Sequence, residues 1–287
     1  MLSFFGEQTL KDSVIARVKE HQRLDQIIQR VYWDGQNGCA IGCVLHSHDH
    51  MAYETQLGLP VFLAYMDEHI FEELPLNEAT AWPLRFLEAV PVGVDLALVF
   101  PRFTHWLLSD PQGVRQYADA TTLPIIDALV TMYAQRIEGI PFDLIAAEAV
   151  AEAARAAAWM AAGAAAGAAA RAARAAAMAA EAAARAAAWM TPGAAAGAAG
   201  AAAMAAMKVA EAAAVAARAV AEAAGAAAIH RQADYLIALL QSFNGGKVHG
   251  IIVEKTPSFN EETIGLDVLS EYGELVKVDE LLKRVKS

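Results

Sequence analysis

A chain of 287 residues is long enough for one large domain or two ordinary ones with a proper core. Its formal net charge of −11 argues against nucleic acid and anionic membranes as partners, since both select basic surface. The two cysteines, Cys39 and Cys43, lie too close together to staple a domain, and the start Met1-Leu2-Ser3-Phe4-Phe5 lacks a basic region followed by an apolar run; a cytoplasmic address is expected.

Composition divides the chain into a helical domain over residues 1–141, an alanine-rich helical repeat over 142–243 and a small strand-containing appendage over 244–287. In the first segment Thr9 can cap a helix with Val14, Val18, Leu24 and Ile28 on its apolar side. Pro60 begins a helix carrying Val61, Ala64, Tyr65 and Ile70, and Asn77 can cap the next, which Pro83 limits or kinks. Asp95 opens a helix holding Leu98, Phe103, Trp106 and Leu107, and Asp110-Pro111 stops it. Thr122 caps the last helix of this segment, just before Pro124, with Ile125, Leu129, Met132 and Arg136 at helical spacing.

From residue 146 to 228 about two thirds of the chain is alanine, far outside ordinary usage. Alanine is the best helix former and brings almost no side chain with which to build a site. An internal repeat runs through the segment: Arg155-Ala-Ala-Ala-Trp159-Met160 recurs at Arg185 to Met190, and Gly163-Ala-Ala-Ala-Gly167 at Gly193 to Gly197. A single helix over it would be more than about 120 Å long. Several antiparallel helices with reversals near Gly163, Pro192 and Gly225 are expected instead, because alanine faces let backbones approach closely. No charge occurs between Arg185 and Lys208, but the run is alanine and glycine rather than leucine and phenylalanine, so no membrane span is read there.

In the third segment Lys247 to Val253 has strand character after Asn244-Gly245-Gly246, Glu274 to Val278 is a partner strand, and Asp279 caps a short helix. The fold class is therefore predominantly all-α: a helical N-terminal domain, closely packed alanine-rich antiparallel helices, and a small C-terminal α/β appendage.

Trp33 to Glu54 holds both cysteines and three of the eight histidines. As a helix, it lines up Cys39, Cys43, His46, His50 and Glu54 on one stripe. Cys39 and His50 would stand about 16 Å apart along the axis, so the stripe cannot close on one zinc ion whose ligands must lie about 2.0–2.3 Å away. Neighbours can share an ion. His46 and His50 make a two-ligand half-site for a divalent transition metal such as zinc, with Glu54, His69 and His105 as candidate third ligands. Ser47 follows His46, so the zincin glutamate is missing. Packing is the plainer reading of these residues; a reactive Cys39 thiol at a helix N-terminus is a third.

The pair His48-Asp49 is similar to the signature of HD-type metal phosphohydrolases, which implies an earlier His and a later Asp; His21 and Asp119 are available. Gly38-Cys-Ala-Ile-Gly-Cys43-Val-Leu-His46, followed by Tyr53-Glu54, Leu74-Pro75, Trp82-Pro83 and Pro91-Val-Gly93, resembles a group of uncharacterised bacterial and phage proteins with alanine-rich tails. The tail is similar, more loosely, to immunity proteins of bacterial toxin systems. This resemblance implies no catalytic activity.

The expected function is a cytoplasmic helical interaction protein, immunity-like or phage-associated, with a protein partner, a homo-oligomer among the options, and no assignable catalytic residue. The alternative is a metal-dependent hydrolase or phosphohydrolase built on the His46 to Glu54 cluster. Ice binding is disfavoured because the repeat lacks regularly spaced threonine. No Walker loop, dinucleotide fingerprint or nucleophile elbow is present.

Overall fold

The computed structural model describes residues 1–143, 145–147, 149–154, 226–243, 267–269 and 275–277. The reversals expected near Gly163, Pro192 and Gly225, the Trp159/Trp189 repeat, the strand at 247–253 and the helix after Asp279 lie outside them. Helix accounts for 67% of the described residues and strand for 2%, so this part of the chain is all-α in class. No helix among the described residues is long and apolar enough to cross a membrane.

The chain forms two compact units, Met1–Phe103 with Ala227–His249, and Thr104–Ala226 with Gly250–Ser287. Their bounds differ from the composition-based ones at 141 and 243. The end of the alanine-rich segment joins the first unit.

The first unit is built around α4 (Val61–Glu73). Val61, Phe62, Leu63, Ala64, Met66, Ile70 and Phe71 are buried, while Tyr65, Glu68, Glu72 and Glu73 form its more accessible side. Pro60 starts it, as expected. Leu74 ends it in an extended conformation imposed by Pro75. Around α4 pack α2 (Ala40–Leu45), α3 (Ala52–Leu57), the single turn α5 (Leu76–Ala79) and α6 (Trp82–Ala89). α1 (Gln8–Arg23) lies against α2 and α6.

Several starts and stops differ from the sequence reading. α1 begins at Gln8, so Thr9 is inside it, and it ends at Arg23, which leaves Leu24 and Ile28 outside the helix and exposed. Asn77 falls inside α5, because Pro75 has already started that turn. Pro83 sits in the first turn of α6, where its missing N–H costs nothing. Asp95 accepts a hydrogen bond from the Ala97 N–H at 3.1 Å, ahead of α7 (Val99–Ser109), which stops before Asp110-Pro111.

The N-terminus is fastened to the Pro91–Gly93 turn. Ser3 Oγ donates to the Pro91 carbonyl at 2.6 Å, and the Gly93 N–H donates to the Ser3 carbonyl at 2.9 Å. Gly58 closes α3 in the left-handed region (φ 63), where a Cβ would stand 2.5 Å from the Leu2 carbonyl oxygen. Glycine is required at this crossing.

After the alanine-rich segment, α9 (Ala226–Ser242) docks back onto the first unit. His69 Nε2 and Gln232 Oε1 meet at 3.1 Å in the interior, Arg85 pairs with Asp234 at 2.6 Å, and Phe103 packs against Tyr235. The ion pair is exposed and contributes at most about 1 kcal/mol. Burial of Ile229, Leu236, Leu239 and Leu240 holds the helix in place.

In the second unit α8 (Thr122–Ile137) is capped by Asp119, whose Oδ1 accepts from the Thr121 and Thr122 N–H groups, in place of Thr122 itself. Asp143 accepts from the Ala146 N–H and opens a helical stretch whose alanines Ala146, Ala147, Ala149, Ala151, Ala153 and Ala154 are all buried. Further along, Leu275–Lys277 pairs antiparallel with Asp267–Leu269, giving the partner strand expected at 274–278 a neighbour.

Candidate functional site

The conspicuous residues lie where α1, α2, α3 and α4 meet. The two glycines of Gly38-Cys-Ala-Ile-Gly-Cys43 make room for Trp33. A Cβ on Gly38 would stand 3.2 Å from the Trp33 ring, and one on Gly42 would stand 3.4 Å from Trp33 Cβ. The Gly38 N–H donates to the Gln26 carbonyl at 3.0 Å and the Ile28 N–H to the Gly38 carbonyl at 2.9 Å, a short parallel bridge that holds the loop between α1 and α2.

The cysteines belong to this packing. Cys39 and Cys43 are buried and free, and burial is the main cause pushing their thiols up, to about 11 and about 12. Cys39 precedes α2, and desolvation by burial is the largest influence on its thiol there.

The helical stripe from Cys39 to Glu54 does not form. α2 ends at Leu45, and His46 adopts a left-handed conformation (φ 55) with its N–H on the Gly42 carbonyl. Ser47 Oγ then accepts from the Asp49 N–H at 3.1 Å, and Asp49 Oδ1 from the Met51 N–H at 2.9 Å, so the backbone turns on its own side chains. α3 starts afresh at Ala52, with Glu54 in its first turn.

His46 and His50 consequently face different partners. His46 lies flat on Trp33, with ring centroids 4.4 Å apart and planes 11° from parallel, and its Nε2 is 2.8 Å from Nε2 of His21. His21, buried at the end of α1, is held at Nδ1 by Gln26 Oε1 at 2.7 Å. Gln26 Oε1 can only accept, so His21 carries its proton on Nδ1 and takes the His46 N–H at Nε2. Partial burial, then Arg17, then His21 lower the His46 pKa. His50 stacks on Tyr65 at 4.4 Å and bonds Glu68 Oε2 through Nε2 at 2.7 Å.

Of the other sequence candidates, His69 bonds Gln232 in the interior of the first unit. His105 is buried in the second, with its pKa lowered by desolvation. His48 meets Tyr32 edge-on, Asp49 is used in its turn and Asp119 caps α8. Among the described residues no group of three or more His, Cys, Asp or Glu side chains is placed to hold a metal ion.

A second cluster escaped the sequence reading. Asp67, fully buried on α4, accepts from Tyr53 OH at 2.5 Å and from Trp82 Nε1 at 2.8 Å, tying α3 and α6 to α4. Burial pushes its carboxyl up to about 7 against the opposing pull of those two hydrogen bonds. The signal was present in the sequence: of the four carboxylates of α4, Asp67 stands one helical turn from Leu63, Ile70 and Phe71 on the apolar face, with Tyr53 and Trp82 as the donors that satisfy it.

The chain matches no protein-family model, no curated protein and no solved structure.

Proposed function

We propose that the chain is a non-catalytic helical interaction protein of the cytoplasm, immunity-like or phage-associated, acting through a protein partner. The observation that carries this reading is that the thiols and the two metal-candidate histidines of the Trp33 to Glu54 region are engaged with packing partners. Its thiols are buried, His46 is turned to His21 and Trp33, and His50 is turned to Glu68 and Tyr65. A hydrolytic centre needs a base and an electrophile converging on open space.

Two further features support it. The motifs behind the resemblance have packing roles: Gly38 and Gly42 seat Trp33, Pro75 and Pro83 shape helix ends, and Pro91 and Gly93 anchor Ser3. The alanine-rich segment brings few reactive groups. The strong negative charge favours a partner with a basic face and disfavours nucleic acid.

The test is crosslinking in the native host, followed by reconstitution from two purified proteins. A defined complex whose affinity is unchanged in His46→Asn/His50→Gln supports the reading. Turnover of phosphoesters or carboxylic esters by the purified chain, lost in that double variant, overturns it in favour of the metal-dependent hydrolase.

A further inference from the structure

His21 and His46 present the same ring atom to each other. Their Nε2 atoms are 2.8 Å apart, their ring centroids 5.0 Å and their planes 80° from parallel. One proton lies between two imidazole nitrogens, and both rings are held from behind. Gln26 Oε1 takes the Nδ1 proton of His21, which fixes the tautomer whose lone pair is on Nε2. An acceptor on the far ring nitrogen is the arrangement that orients metal-binding histidines. Trp33 lies flat against His46 and meets His21 edge-on at 5.5 Å. His46 itself occupies a left-handed backbone position (φ 55), uncommon for a residue with a side chain and held here by the turn after α2.

We propose that His21 and His46 form a two-histidine site for a divalent transition ion of the imidazole-preferring class, copper(II) or zinc(II), in which the ion takes the place of the shared proton.

The geometry requires the rings to turn, because at 2.8 Å between nitrogens and 5.0 Å between centroids they meet nearly head-on. Two nitrogens about 2.0–2.1 Å from one ion stand about 2.9 Å apart in adjacent tetragonal positions and about 3.3 Å apart in tetrahedral ones. Reaching either separation turns each ring axis off the line between the nitrogens by about 35–45°, so that both lone pairs meet on the ion. His46 moves its proton from Nε2 to Nδ1 through solvent, and both rings bind as neutral imidazoles. Arg17, the nearest cation named among the causes of the His46 shift, is held by the Val44 carbonyl at 2.7 Å and favours the neutral ring. No third side chain joins the pair among the described residues, so water fills the remaining positions. The ion ties the end of α1 to the turn after α2. This pairing replaces the His46–His50 half-site expected from helical spacing, because the left-handed turn at His46 breaks that spacing.

The experiment is titration of the tag-free full chain with copper(II), read by binding isotherm and by electron paramagnetic resonance. One saturable equivalent with the hyperfine pattern of two imidazole nitrogens is expected. His21→Gln and His46→Asn each weaken binding by about tenfold or more, while His50→Gln leaves it unchanged. Glutamine keeps a donor toward Gln26, and asparagine tolerates the left-handed turn. Absence of a saturable equivalent, a single-nitrogen pattern in the wild type, or loss of the site in His50→Gln overturns the proposal. The wild-type nitrogen pattern decides the matter even if a variant fails to fold. The interaction reading is judged separately, by complex formation and turnover.

Discussion

The Asp67 cluster and the His21–His46 corner are made of the same ingredients, a titratable group flanked by aromatic residues, and they behave in opposite ways. Asp67 is sealed, with Tyr53 and Trp82 fully buried beside it, and burial lifts its pKa to about 7. The histidine corner runs from buried His21 to exposed His46, and its two rings satisfy each other across the boundary with solvent. Depth separates the two: the same kind of polar contact is a structural necessity in the interior and an adjustable feature at the surface.

The largest expected effect is at the sealed cluster. Asp67→Ala strands the Tyr53 hydroxyl and leaves the Trp82 N–H only the carbonyl of residue 67, at 3.2 Å, and should cost about 2–4 kcal/mol in urea unfolding. A cost below about 1 kcal/mol would erase the distinction between the two clusters. Next comes pH. Asp67 is harder to ionise in the folded chain than in the unfolded one, so the folded state holds the extra proton between pH 4 and 7. Its contribution is complete below about pH 4 and is lost as pH rises through about 7. On acidification across that window the wild type should gain up to about 4 kcal/mol relative to Asp67→Asn. A parallel pH profile for the two proteins would contradict the assignment.

Smaller effects belong to the corner. Trp33→Ala removes the ring that Gly38 and Gly42 accommodate and that His46 lies on, and should cost about 2 kcal/mol by thermal melt. His46→Asn gives up one half-exposed hydrogen bond in a backbone position asparagine accepts, and about 0.5–1 kcal/mol is expected. If His46→Asn costs more than Trp33→Ala, the corner is held by the imidazole pair rather than by packing.

Legibility in the sequence followed the range of the forces involved. Pro60 and Asp110-Pro111 act on their own neighbourhood, and the helix limits they set are where local rules place them, whereas Pro83 begins α6 instead of limiting the helix expected from Asn77. The stripe from Cys39 to Glu54 failed for a reason that was also local. Ser47 and Asp49 bond their own backbone in preference to continuing a helix, a competition that outweighs clean four-residue spacing. The partner of His46 was beyond reach, because His21 lies 25 residues away and is brought close by the bridge between Ile27 and Gly38. Asp67 was readable in principle as the carboxylate on the apolar face of its helix, though its donors sit on two other elements.

Imidazole nitrogen NMR of the uniformly labelled chain tests the central claim, that the conspicuous side chains are bound into the fold. His21 should be the Nδ1–H tautomer, with a scalar coupling across the hydrogen bond joining its Nε2 to that of His46. His46 with no such coupling, exchanging its tautomers like a free imidazole, would contradict the claim and return the region to the chemistry its sequence suggested.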